Sequence, residues 1–243
     1  MARIILVHGA FHNASCWDAA KAELEAKGHT VEAVDLPSHG SDSTPIESVV
    51  LQTYADKVVA QAKSQPEVPV LVGHSMGGMV VTQAADDILA GGGTVAQVVY
   101  VCAFLPRNGQ SLVELAGQPE GAGDMVQANV VVDGEPPIGT MPTDKAIEAF
   151  YGECDPAVAQ AAAQELDPQP ILAFVMPANI TDDRDITRRY IVTTHDKALP
   201  TPLQRKMSKA TKCVEIVDID SDHSPFLSHT DEFVGILDRF VKA

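Results

Sequence analysis

Basic residues are scarce in this chain: 17 Lys and Arg stand against 33 Asp and Glu, and 17 − 33 leaves a formal charge of −16. Such a balance repels phosphate backbones, so no nucleic acid is expected as a partner. The acidity reads as a solvated surface rather than as a site for cationic substrates. Long hydrophobic runs are also lacking. No stretch reaches the roughly 18 consecutive apolar residues of a membrane span, so no membrane association is expected. The apolar run Ile4–Val7 behind Met1-Ala2-Arg3 is too short for a signal-peptide core. Cysteine is sparse and scattered. Cys16, Cys102, Cys154 and Cys213 show no Cys-x-x-Cys spacing, which excludes a zinc-ribbon pattern or a disulfide framework and leaves free thiols in a reducing cytoplasm as the expectation. Neither an internal repeat nor a low-complexity tract is present.

What is there is a chain of 243 residues, 45% apolar and 21% charged, long enough for one sizeable core and read as a single domain. Short β-rich runs alternate with helical patterns: strands are predicted at Ile4–Val7, Thr30–Leu36, Val68–Val72, Val95–Phe104, Arg189–Thr194 and Cys213–Ile219. Helices are predicted near Ala19–Lys27, Val49–Lys63, Gly77–Leu89, Leu203–Lys209 and Thr230–Val241. This alternation is the signature of βαβ units, and the near-continuous Val/Ile/Leu strands suit a mostly parallel sheet of about six strands with helices on both faces. The order breaks over about 106–184, where nine of the 16 prolines fall. This segment is expected to be a helical cap inserted between core residues 1–105 and 185–243, over the carboxyl ends of the strands where open α/β sheets bind ligands. Within it, Asp155-Pro156 and Asp167-Pro168 each read as an N-cap followed by proline in the first helical position. The Asn129–Val132 run ending in Asp133-Gly134 reads as a small hairpin.

The strongest chemical signal is Gly73-His74-Ser75-Met76-Gly77-Gly78, a Gly-x-Ser-x-Gly sequence directly after an apolar strand and directly before a helix. In that context the serine sits on a strained turn with its hydroxyl exposed, beside the positive end of a helix. Serine needs a base within hydrogen-bond reach, oriented by an acid, and in this fold the chain order is Ser, acid, His. Downstream histidines are His195, His223 and His229. His223 lies in a polar loop after the last predicted strand and is the expected base; His229 opens the final helix, and His195 reads as a loop residue. Asp196 follows the preceding strand and is the expected acid. Asp218, Asp220 and Asp222 are its rivals, but they are too near His223 in sequence to reach its ring from another loop. The alternative position for the acid, after the strand that precedes the cap, reads Ala103-Phe104-Leu105-Pro106-Arg107 and holds no carboxylate. An oxyanion needs backbone donors: Met76 N–H supplies one, and the loop His8-Gly9-Ala10-Phe11 supplies the other, through Ala10 with Phe11 as the alternative. His8 and the Asp35–Gly40 loop read as scaffold.

Together VHGAFHNASCW, LEAKGHTVEAVDLPSHG, GHSMGG, YIVTTHDKALPTPLQRKM and DSDHSPFLSHTDEF resemble one branch of the α/β hydrolases. That branch holds the plant methylesterases, the hydroxynitrile lyases and related bacterial esterases. The resemblance spans nearly the whole chain and is weakest in the cap. It implies Ser75 as nucleophile, Asp196 as acid, His223 as base and the N–H groups of Ala10 and Met76 as oxyanion hole. The lyases of this branch carry a lysine directly after the catalytic histidine and a threonine in the first loop, where this sequence has Ser224 and Ala10. A serine nucleophile also separates it from the epoxide hydrolases and haloalkane dehalogenases, which attack with aspartate.

The expected function is therefore hydrolysis of a small or aromatic carboxylic ester through an acyl-enzyme, with no metal or organic cofactor and with activity falling on acidification as the histidine base becomes charged. The expected apolar pocket draws on Phe11, Phe104, Leu105, Phe150, Leu172 and Met176. The partner is a small-molecule ester, and a homodimer is left open. The competing readings are a small-molecule binding protein on a hydrolase scaffold, and lyase or perhydrolase chemistry.

Overall fold

The computed structural model describes residues 1–182 and 184–242. In chain order the first half contains β1 (Arg3–Val7), α1 (Asp18–Ala26), β2 (Thr30–Val34), α2 (Leu51–Lys63), β3 (Pro69–His74), α3 (Gly77–Ala90) and β4 (Gln97–Val101). A segment of short pieces follows: α4 (Leu112–Ala116), α5 (Met125–Asn129), β5 (Val131–Asp133), β6 (Ile138–Thr140), α6 (Thr143–Phe150), α7 (Pro156–Gln164), β7 (Gln169–Pro170) and α8 (Leu172–Val175). The chain then returns to β8 (Arg188–Thr193), α9 (Thr201–Ala210), β9 (Glu215–Ile219), α10 (Pro225–Ser228) and α11 (Thr230–Lys242). No helix among the described residues is long and apolar enough to cross a membrane.

Six strands form one parallel sheet, as the strand pattern predicts, and their order is β2-β1-β3-β4-β8-β9. Every residue of β1, β3 and β4 is buried, whereas the edge strands β2 and β9 are only partly so. Side chains of a strand alternate between faces, and this alternation builds two cores. Ile5, Val7 and Leu71 pack with Tyr54 and Val58 of α2 and Met79 of α3. Ile4, Leu6, Val70 and Val72 pack on the opposite face with Trp17, Leu24 of α1, and Phe233 and Leu237 of α11. The chain starts in the middle of the sheet at β1, goes to one side for β2 and crosses back to β3. This makes the β1/β3 crevice a topological switch point, where ligand sites form at the strands' carboxyl ends.

Three strands are shorter than the apolar runs that announced them, and in two of them tertiary bonds take over where the ladder stops. Leu36 lies beyond β2, its N–H given to His8 Nε2 at 3.1 Å. Past Val101 the backbone of β4 turns at Cys102, whose φ of +35° is rare for a residue with a side chain. The next residue, Ala103, is tied through both its N–H and its carbonyl to the hydroxyl of Tyr190. Val214 lies before β9 and is 65% exposed.

Between β4 and β8 the Asp133-Gly134 turn closes an antiparallel hairpin of β5 and β6, with Asp133 opposite Ile138. A third, unanticipated strand, β7, joins through Gly139 and Gln169. Asp155 caps α7 by accepting from Ala157 N at 2.8 Å, with Pro156 in the first turn. Asp167-Pro168 does not open a helix as its sequence predicts. The Asp167 carboxylate accepts instead from Gly40 N at 2.8 Å and Asn13 Nδ2 at 3.2 Å. With the side chain committed to distant loops, the backbone continues extended into β7.

Candidate active site

Ser75 sits between β3 and α3 with φ +52°, the left-handed region that residues with a Cβ seldom enter. The strain is held in place by three backbone bonds: Ser75 N donates to Val101 O at 3.2 Å, and Ser75 O accepts from Gly78 N and Phe104 N, each at 3.0 Å. The two glycines that follow make the turn possible. A Cβ on Gly77 would meet the carbonyl oxygens of Val7 and His8 at 2.7 Å, and one on Gly78 would meet Phe104 O at 2.1 Å.

His223 is carried by the loop after β9. Its Nδ1 lies 2.7 Å from Asp196 Oδ2, and neither side chain is more than 1% exposed. Asp196 itself is fixed by four further donors. Oδ1 accepts from Ala198 N and Leu199 N, both at 2.8 Å, and Oδ2 accepts from Thr193 Oγ1 at 2.8 Å and Gln204 Nε2 at 2.9 Å. Against a carboxylate, Nδ1 of the imidazole carries the proton and Nε2 is left as an acceptor. Among the described residues that buried Nε2 has no hydrogen-bond partner. The rival carboxylates are engaged elsewhere: Asp218 pairs with Arg205, Asp220 accepts from Thr194 Oγ1 at 2.6 Å, and Asp222 accepts from Ser224 N, Ser228 Oγ and Glu153 N.

The other histidines fall into scaffold positions. His195 is half exposed and its pKa is raised by the Glu153 hydrogen bond and by Asp220. His229 links α10 to α11, accepting Phe233 N through its carbonyl. His8 and His12 organise the loop after β1. His8 accepts from Leu36 N through Nε2, so its Nδ1 donates to Gly9 O at 2.8 Å. Burial, then the neighbouring His39, pushes its pKa well below the ordinary value and keeps it neutral. His12 Nδ1 is 2.7 Å from Ala10 O, and its Nε2 is 2.9 Å from the Tyr151 hydroxyl.

These contacts discriminate between the two candidate donors of the first loop. In a trans peptide the N–H and C=O point in opposite directions. His8 anchors the carbonyl of the Gly9–Ala10 peptide, and among the described residues its Ala10 N–H has no acceptor. In the next peptide, His12 takes the carbonyl and the Phe11 N–H is spent on Gln169 Oε1 at 3.1 Å. Met76 N–H likewise has no acceptor among the described residues, and it lies at the start of α3, where the helix dipole favours negative charge.

His74, Cys102 and His223 bring potential ligand atoms within 4.8 Å of one another. The cluster is a hydrogen-bond knot, in which His74 Nε2 at 2.9 Å and Cys102 Sγ at 3.3 Å both donate to the His223 carbonyl. Burial lifts the Cys102 thiol well above its usual pKa and holds His74 well below its own, so the thiol stays protonated and the set does not suit a metal.

Ser75 opens into a cavity of about 270 Å³. Ala10, Met76, Phe11, Phe104 and Phe150 line it from the core loops and α6. The remaining wall comes mostly from α4 (Leu112, Val113, Ala116), the α5 region (Asp124, Val126, Gln127, Val130) and α8 (Ile171, Phe174), with Val132 of β5 and Ala198 from the loop after β8. Leu105, Leu172 and Met176, expected in the pocket, lie outside it. Leu105 borders a separate hollow with Leu115 and Met207. Around α8 the helical spacing turns Ile171 and Phe174 to the cavity and Leu172 away, while Met176 is 43% exposed. Sequence reasoning also missed Gln204, Thr193 and Gln169. Nothing in a polar residue's identity marks it as a buried hub, and Gln169 acquires that role only when Phe11 N, His39 and Tyr54 converge on it.

A parallel sheet with a strained serine at the β3–α3 turn, and a histidine–aspartate pair on the loops after its last two strands, defines an α/β hydrolase. The sequence pattern of the alpha/beta hydrolase family matches residues 4–236, and the chain belongs to that family. Its relatives include Methylesterase 7 of Arabidopsis thaliana, 29% identical over 97% of this chain and 94% of the relative, and Salicylic acid-binding protein 2 of Nicotiana tabacum, 29% identical over 92% and 90%. Among solved structures, a pyrethroid hydrolase from Sphingobium faniae JZ-2 is 25% identical with a TM-score of 0.86, covering 100% of this chain and 98% of that one. Polyneuridine aldehyde esterase shares the fold, with a TM-score of 0.87 at 23% identity over 99% of both chains. The resemblance to the methylesterase branch read from the motifs is borne out by these matches.

Proposed function

We propose that the protein hydrolyses carboxylic esters of small or aromatic acids, with Ser75 as nucleophile, His223 as base and Asp196 as the group that orients it. The observation that carries this reading is the Asp196–His223 bond at 2.7 Å, which leaves a buried Nε2 unpaired among the described residues, on a ring whose centroid lies 4.6 Å from that of His74, the residue before the strained serine that lines the apolar cavity. His223 takes the Ser75 proton as Oγ attacks the ester carbonyl, and the N–H groups of Ala10 and Met76 receive the oxyanion. His223 then protonates the leaving alcohol, and water, activated by the same imidazole, releases the acid from the acyl-enzyme. Residues 106–184 act as a cap over this site, a role supported by the cavity wall that α4, α5 and α8 contribute. The relatives' name, methylesterase, supports a small alcohol, so that the acid part fills the cavity. The thiols, all free, support action in a reducing cytoplasm.

A second reading, a small-molecule binding protein, draws on the relative named for binding salicylic acid. The Asp196–His223 pair argues for turnover, because binding alone has no use for a fixed imidazole tautomer. Lyase chemistry is disfavoured by Ser224 in the position of the lysine. A p-nitrophenyl ester series from acetate to long chain tests the reading: turnover with an optimum among short acyl chains is expected from a cavity of about 270 Å³. Ligand-induced thermal stabilisation with no product from any ester, by folded protein, would favour the binding reading instead.

A further inference from the structure

The cavity beside Ser75 is apolar except at one corner, where Asp124 and Gln127 enter its wall from the start of α5. Asp124 is only 8% exposed and forms no ion pair among the described residues; the His223 ring acts on it electrostatically only from beyond ion-pair distance. Its partners are those of a helix cap: Oδ1 accepts from Val126 N at 2.7 Å and Gln127 N at 3.0 Å, and Oδ2 accepts from Gln127 Nε2 at 2.9 Å. Burial, the largest influence, outweighs these bonds and raises the pKa of the carboxyl above the ordinary aspartate value. A capping aspartate usually faces water. This one is desolvated against an apolar cavity with no ion-pair partner among the described residues, which costs free energy until a partner arrives.

Counting donors fixes the polarity of that corner. Gln127 Nε2 has two N–H bonds and spends both, one on Asp124 Oδ2 and one on the Ala116 carbonyl at 3.1 Å. Each contact is an acceptor, so the amide cannot be turned round. What is left over is acceptors alone: lone-pair capacity on Asp124 Oδ2, and Gln127 Oε1. We propose that Asp124 and Gln127 select esters whose acid part carries a hydrogen-bond donor, a hydroxyl or an ammonium group, and discriminate against the same acid without it. The inference rests on the ester-hydrolase reading. Asp124 is the buried acceptor and the exposed Gln127 adds a second; a site that bonds a substrate donor rejects the analogue lacking it, because its buried acceptor is then left short of a partner.

The test compares methyl phenylacetate with its ring-hydroxylated and ring-aminomethylated isomers, read as kcat/KM. One or more substituted isomers are expected to exceed the parent by at least about tenfold, the effect of one hydrogen bond to a charged group. A gain confined to the hydroxyl series identifies a neutral donor as the selected group, and a gain confined to the aminomethyl series identifies a cation. Asp124→Asn keeps a capping oxygen while removing the charge, and it should bring the ratio to about one; Gln127→Met should lower it too. Calorimetry on Ser75→Ala with the corresponding free acids reads the same preference without turnover. Clear turnover with ratios near one for every isomer would overturn the selection and leave the ester reading intact. No turnover of any ester by wild type would remove the ester reading, and equal binding of all the acids would then remove the selection as well.

Discussion

Asp196→Asn is expected to lower kcat on a p-nitrophenyl ester by up to about 10⁴-fold, with the fold retained. The carboxylate accepts from His223 Nδ1 and so fixes the tautomer in which Nε2 is bare. An asparagine that turns its NH2 towards the ring reverses this: Nδ1 becomes the acceptor, the proton moves to Nε2, and Ser75 loses its base. The opposite orientation of the amide is no escape. Oδ1 faces the N–H groups of Ala198 and Leu199, and Oδ2 faces Thr193 and Gln204, so either placement of the NH2 sets donor against donor. A fall in melting temperature should therefore accompany the loss of rate. Wild-type-like turnover in this variant, with circular dichroism unchanged, would move the acid to another residue.

The second large effect concerns stability in mild acid. His8, His12 and His74 are buried around the site, and in each case burial is the largest cause of a lowered pKa, with His12 brought down to about 4. In the unfolded chain each ring titrates near 6.5. As pH falls below that value the unfolded state takes up protons that the folded state refuses, so ΔG of unfolding falls with pH. The contribution is fully present above about pH 6.5, and for His12 the loss continues until the folded ring protonates near 4. For His12 the loss runs at roughly 1.4 kcal/mol per pH unit in that window, and His8 and His74 add to it in the same direction. Even one such group is a sizeable part of the roughly 5–15 kcal/mol that holds a typical domain folded. Urea unfolding at pH 7.5, 6.5 and 5.5 measures it, and a constant midpoint across this range would mean that these rings are protonated in the folded protein.

The same histidines show where sequence reading reaches its limit. That His8 belongs to the scaffold followed from its place before a glycine in a loop. That it anchors one peptide and so frees the Ala10 N–H required the positions of Leu36 and Gly9 in space. The sheet was legible because its signal is local: each strand is an apolar run, and each helix between strands repeats at helical spacing. Ser75, Asp196 and His223 were legible because a fold of this topology presents polar residues where strands end, and strand ends can be counted along a chain. The segment between β4 and β8 offered no such frame. Its helices are four to nine residues long, too short for a face to be read from periodicity, so Leu105, Leu172 and Met176 were expected in a cavity whose wall is built from Leu112, Val130 and Phe174. Asp167 was misread for a related reason. Its N-cap signal is weaker than two bonds to loops more than a hundred residues away, and no local rule registers those. Asp124 was not singled out in the sequence at all: both its capping of α5 and its place in the wall of an apolar cavity come from the packing of this segment.

The most direct test of the central claim is covalent. Wild type is treated with a fluorophosphonate, the modified residue is located by mass spectrometry, and ester turnover is followed in the same sample. Stoichiometric modification of Ser75 with parallel loss of turnover is expected, together with neither labelling nor activity in Ser75→Ala. Modification of a different residue, or turnover that survives in Ser75→Ala, would contradict it.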